Sequence, residues 1–124
     1  QRLELEDGRY ERMAWVRVEE ELPDDPLIQS CALTYLSDLT MVSTALAPHA
    51  DALHRPNLML ASIDHAMWFH APVRADRWLL FAQDTPVARG GHGLARGLFY
   101  DEQGQLVASV VQESLMRTRR RTSM

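Results

Sequence analysis

Lysine is absent from this 124-residue chain; its 13 basic residues are all arginine, set against 17 acidic ones. The formal charge of −4 leaves no basic surplus of the kind that carries nucleic-acid binding. There is one cysteine, Cys31, which excludes an internal disulfide. Among apolar neighbours it reads as a small buried hydrophobe rather than a reactive thiol, and a reducing, cytoplasmic setting is expected. No apolar run reaches the roughly 18 residues needed to span a bilayer. The opening "QRLELEDGRYER" lacks the apolar core of a secretory signal. It begins on Gln rather than Met, which fits a fragment or a trimmed product. His49, His54, His70 and His92 show no metal-ligand spacing, so neither metal nor cofactor is expected.

What is present is a change of period along the chain. Residues 10–18, "YERMAWVRV", suit a half-buried strand. "ELPDDP" follows, in which Asp24 or Asp25 can cap a helix that has Pro26 at its first position. From Leu27 to Ala47 a single helix is expected, with Ile28, Cys31, Tyr35, Asp38 or Leu39, Val42 and Leu46 recurring at helical spacing. Its other faces carry Ala, Leu, Ser and Thr rather than a charged stripe, so protein is expected around most of it. After the loop "APHADALHRPN" come four strand-like segments, at 58–70, 77–85, 92–101 and 105–117. Their connections are short, which demands antiparallel neighbours, and Asp101 to Gly104 reads as a tight hairpin turn.

The expected architecture is α+β: an antiparallel sheet wrapped around one long central helix, which is a hotdog fold. A single domain over residues 1–117 is expected, followed by a solvated basic tail at 118–124, "RTRRRTSM" with the preceding Arg117.

One residue fits this picture badly. Asp38 is the sole charge between Pro26 and Pro48, and a carboxylate on an apolar helix is costly to bury without partners. Alternation along 58–70 places Leu58, Leu60, Ser62, Asp64, Ala66 and Trp68 on one face. In the last strand Leu106, Ala108, Val110, Gln112 and Ser114 share a face. Asp38, Ser62 and Gln112 could therefore converge. A carboxylate in a partly desolvated pocket becomes a better base, and a hydroxyl and an amide beside it can hold a water for attack. Spacing alone leaves open the plainer possibility that the three are buried polar groups bonding one another.

Four stretches, "YLSDLTMVSTALAPH", "LASIDHAMWFHAP", "ADRWLLF" and "GGHGLARGLFYDEQGQLVASVVQESLMR", resemble the C-terminal half of acyl-CoA thioesterase II, the TesB-type family. The resemblance implies two hotdog domains in one chain, hydrolysis of fatty acyl-CoA, and an Asp–Thr–Gln set that activates water. Asp38 matches the Asp of "YLSD" and Gln112 the Gln of "VQE". Ser62 stands where the family has Thr, which keeps the hydroxyl and loses a methyl. Ala71, in "WFHAP", stands where the family usually has Arg; Arg74, nearby in the chain, is the candidate to compensate.

The resemblance also implies a partner. A lone hotdog half leaves a sheet edge and apolar surface uncovered, so pairing with an N-terminal hotdog half or with a second copy is expected. The loop "ARGGHGLARG" is read as a strand connection, with Arg89 or Arg96 available to the phosphates of CoA. His65 and Asp64, as strand neighbours, point to opposite faces and form no dyad; a hotdog hydratase, which uses an Asp–His pair, is therefore the weaker enzyme reading. Trp15, Trp68 and Trp78 are read as core or interface. The alternative to an acyl-CoA hydrolase is a non-catalytic hotdog unit that serves dimerisation or acyl-chain binding.

Overall fold

A computed structural model describes residues 2–4, 10–48 and 58–118. Residues 49–57 of the expected loop at 47–57, and 119–124 of the expected tail at 118–124, lie outside the described residues. The elements run β1 (Arg2–Glu4), β2 (Tyr10–Val16), α1 (Pro26–Asp38), α2 (Met41–Leu46), β3 (Leu58–Ser62), β4 (Ala66–Phe69), β5 (Leu79–Arg89), β6 (His92–Tyr100) and β7 (Leu106–Thr118). All strand pairs are antiparallel, in the order β1-β2-β5-β6-β7-β3, with β4 continuing the β3 edge along β7. This is a hotdog fold. Among the described residues no helix is long and apolar enough to cross a membrane.

Local chemistry sets the boundaries. Asp25 is the N-cap of α1, its carboxylate accepting from Leu27 N–H at 2.9 Å, with Pro26 directly after it. At the β5–β6 hairpin Gly90 and Gly91 have φ of 62° and 77°, a conformation that fits the right-handed twist of the flanking strands. Within "ARGGHGLARG" the strand connection is thus Gly90–Gly91 alone, and His92 to Gly97 already belong to β6. The Asp101–Gly104 turn closes with Gly104 N–H donating to Asp101 O at 3.0 Å, and Asp101 Oδ1 accepts from Gln103 and Gln105.

The core lies between the inner face of the sheet and the two helices, around Leu33, Met41, Ala45, Phe81, Phe99 and Val110. Phe81 and Phe99 stack with centroids 3.9 Å apart. Gly97, two residues before Phe99 on β6, makes room: a Cβ there would lie 2.3 Å from the Phe81 ring. Gly93 likewise lets Ala45 of α2 come close to the sheet.

The helical region departs from expectation in three ways. It is two helices, not one, because the chain turns at Leu39 and Thr40. The Thr40 and Thr44 hydroxyls both donate to Gln83 Oε1, at 3.1 and 2.8 Å, and fasten α2 to β5. Second, the buried residues of α1 are Gln29, Leu33 and Ser37; the expected stripe of Ile28, Cys31, Tyr35 and Leu39 is the exposed one. Gln29 is tolerated inside because Ala75 N–H donates to its Oε1 at 2.7 Å and its Nε2 donates to Pro23 O. Third, the outer face of α1 is bare rather than wrapped, with Leu27 at 70% and Tyr35 at 67% exposure. Cys31 is exposed with it. Trp15, Trp68 and Trp78 are likewise exposed, so none is a core residue.

Candidate active site

The segment between β3 and β4 decides the geometry of the site. Ser62 pairs with Ser114 and Ala66 with Val111, so residues 63–65 oppose only residues 112–113. One extra residue on this side makes a β-bulge. Ile63 N–H and Asp64 N–H both aim at Glu113 O, at 2.9 and 3.5 Å, and Asp64 Oδ1 accepts from Glu113 N–H at 2.8 Å. The bulge shifts the alternation by one, so Asp64, Ala66 and Trp68 do not share the inner face with Ser62 as expected. His65 and Met67 turn inward instead, Met67 against the core.

Three side chains consequently meet beneath the end of α1. Gln112 of β7 is fully buried. Its Nε2 donates to Ser62 Oγ at 3.1 Å and to Ser114 Oγ at 3.0 Å. Its Oε1 lies 2.6 Å from His65 Nδ1. The other ring nitrogen of His65 lies 2.8 Å from Ser37 Oγ on α1. Asp38, the next residue, is the last of α1 rather than mid-helix, and its Oδ1 stands 3.8 Å from His65 Nδ1.

An open cleft of about 640 Å³ covers this centre, lined by Cys31, Thr34, Tyr35, Asp38, Ser62, Ile63, Asp64 and His65. The Asp38 side chain is 59% exposed to it, so the expected desolvation of the carboxylate is not found. Asp38 and Ser62 do share the cleft. Gln112 lies behind Ser62, with both amide hydrogens already donated. His65 is the member that sequence reasoning left in a structural role; the Asp64 that bends the strand was the available signal, since Asp is disfavoured in strands and bonds nearby backbone. Asp64 and His65 are not paired with each other. Among the described residues no cluster of His, Cys, Asp and Glu could hold a metal ion.

The three arginines lie elsewhere. Arg74 donates to Asp76 and to Asp24, and hydrogen bonding with Asp76 raises its already high pKa. Arg96 donates both its Nε and Nη2 to Asp84, at 3.0 and 2.6 Å, on the sheet face away from the helices. Both are therefore engaged within the chain and are not free phosphate ligands in this arrangement. Arg89, at the end of β5, makes no ion pair among the described residues.

Comparison with known proteins fixes the family. The profile of the acyl-CoA thioesterase family matches residues 5–115. The chain belongs to the acyl-CoA thioesterase family. It is 40% identical over 107 residues to Acyl-CoA thioesterase 2 of Haemophilus influenzae, covering 86% of this chain and 37% of that protein. It is 38% identical over 121 residues to Acyl-coenzyme A thioesterase 8 of Rattus norvegicus, covering 97% of this chain and 37% of that protein. Among solved structures it superposes on the acyl-CoA thioesterase II TesB2 of Mycobacterium marinum with a TM-score of 0.81 and 45% identity, covering 88% of this chain and 42% of the other. The chain thus spans little more than a third of the length of these two curated relatives.

Proposed function

We propose that this thioesterase-family chain hydrolyses fatty acyl-CoA in the cleft at the end of α1, with Asp38 as general base. The observation that carries the reading is the pairing, in one cleft, of an accessible carboxylate with a hydroxyl anchored by a buried amide. Asp38 takes a proton from water, whose oxygen bonds to the thioester carbonyl carbon. Ser62 holds that water in place. The tetrahedral intermediate then collapses, the carbon–sulfur bond breaks, and the departing thiolate of CoA takes up the proton. Gln112 acts one step behind, by fixing Ser62; it has no amide hydrogen left for the water. Of Arg74, Arg89 and Arg96, Arg89 alone makes no ion pair among the described residues, which supports it as the one that meets the phosphates of CoA.

The named activity of the relatives supports this reading. The test is release of free CoA from medium- and long-chain acyl-CoA by this chain and by Asp38→Asn, with Cys31 accounted for in any thiol readout. Multiple turnover in the wild type and its loss in Asp38→Asn is the expected result. Retained turnover in the variant would remove Asp38 as base. Binding of acyl-CoA without turnover in either would favour a non-catalytic, acyl-binding hotdog unit.

The bare α1 face and the open β3–β4 edge, with Leu60, Ile63, Trp68 and Phe69 exposed, support pairing with another hotdog unit, either an N-terminal half or a second copy. Light scattering is expected to show self-association at micromolar concentration when no other hotdog half is supplied. A stable monomer would refute pairing with a second copy.

A further inference from the structure

The polar centre contains one ring for which the proposed hydrolysis has no use so far. His65 Nδ1 is 2.6 Å from Gln112 Oε1, whereas Asp38 Oδ1, at 3.8 Å, is beyond hydrogen-bond reach. An amide oxygen only accepts, so with the Gln112 amide turned this way the contact requires a proton on Nδ1. That proton selects which end of the Gln112 amide faces which neighbour. With Oε1 held by His65, the amide nitrogen must face Ser62 and Ser114, and it donates one hydrogen to each hydroxyl.

The consequence falls on Ser62. Its oxygen accepts from Gln112, so its own hydrogen is free to point into the cleft. Were the amide reversed, Oε1 would draw that hydrogen inward, and Ser62 would face the cleft only as an acceptor. As a donor it can hold a water by one lone pair while the other faces the thioester carbon and a water hydrogen points to Asp38.

We infer that His65 is a positioning residue: by donating Nδ1–H to Gln112 it fixes that amide, and the amide presents Ser62 to the cleft as a donor. This role in turnover rests on the hydrolytic reading above. The arrangement is secured on both sides of the ring. Ser37 Oγ lies 2.8 Å from Nε2 and, with the proton on Nδ1, turns to the ring the one hydrogen that otherwise serves Thr34 O at 2.7 Å; the Asp64 bulge delivers the ring to the inner face.

The test separates the two ring nitrogens. An Asn side chain places its amide hydrogens near where Nδ1–H lies; a Gln side chain reaches instead toward the place of Nε2. His65→Leu removes both. With acyl-CoA, His65→Leu is expected to lower kcat by about 10- to 100-fold, by analogy with the loss of the hydrogen-bond partner behind a metal ligand. KM should stay within about threefold, since the interaction is one step removed from ground-state binding. His65→Asn should recover most of kcat and His65→Gln should not. Recovery by Gln and not Asn would place the role at Ser37 and overturn the inference; so would near-wild-type kcat in His65→Leu with native circular dichroism.

A second readout needs no activity. Long-range proton–nitrogen NMR of the histidine rings should show His65 carrying a proton on Nδ1. The Gln112 side-chain amide should resist exchange in the wild type and in His65→Asn, and exchange at least about tenfold faster in His65→Leu, where a buried partner is gone. A bare Nδ1 in the wild type refutes the inference. If the wild type binds acyl-CoA without turning it over, the hydrolytic reading fails, while these spectra still decide whether His65 orients the amide.

Discussion

Replacing Asp76 by Asn should destabilise the fold in a pH-dependent way, because this carboxylate ties the entry of α1 to the sheet. Asp76 lies in the loop before β5 with only 4% of its side chain exposed. Its Oδ2 accepts from Leu22 N–H at 2.8 Å and from Arg74 Nη2 at 3.3 Å, and Oδ1 accepts from Arg74 Nε at 3.3 Å. Its pKa is lowered from the ordinary 3.8, first by the Leu22 N–H and then by Arg74, against the opposing effect of burial. Asn keeps one oxygen but turns an NH₂ group toward one of these donors. A hydrogen bond to a charged group contributes about 1.5–3 kcal/mol. The Arg74 side is 38% exposed and screened, so it adds little. The expected loss at pH 7 is therefore about 2 kcal/mol, most of it from the Leu22 contact.

The sign of the pH effect follows from the direction of the shift. A carboxylate whose folded pKa is lowered stabilises fully above its unfolded value and loses that contribution as pH falls through the folded one. Urea unfolding of wild type and Asp76→Asn at pH 7 and near pH 3 should show a gap that narrows at the lower pH. An equal gap at both values, or a gap under about 0.5 kcal/mol at pH 7, would refute the electrostatic account.

Gly97→Ala should lower the thermal midpoint and cost about 1–3 kcal/mol, because the new Cβ would press on Phe81 at 2.3 Å and on Val110 at 2.9 Å, behind a stacked ring pair. An unchanged midpoint would mean that the Phe81 ring relocates freely. Cys31, exposed in the cleft, should react with a maleimide in the native protein, and acyl-CoA bound to the Asp38→Asn variant should slow that labelling. Labelling at the same rate with bound acyl-CoA would place the ligand elsewhere.

The parts of the fold legible in the sequence were those governed by local rules. Asp25 before Pro26, the Gly90–Gly91 pair and the Asp101–Gly104 turn each specify a boundary through their own backbone chemistry, and the short connections force antiparallel order. The orientation of α1 was not legible. Its sides differ too little in polarity, and the buried side includes Gln29 and Ser37, whose partners Ala75 and His65 come from distant loops. The site shows the same division. Ser62 and Gln112 were visible as polar residues on inner faces, and the register places them on one hydrogen-bonded chain. His65 was hidden because strict alternation sends it outward. A single extra residue at Asp64 reverses that, and local hydrophobicity does not record where a ladder gains a residue. The same bulge joins fold to site, since it brings Ser62 and His65, three positions apart, to the two ends of one buried amide.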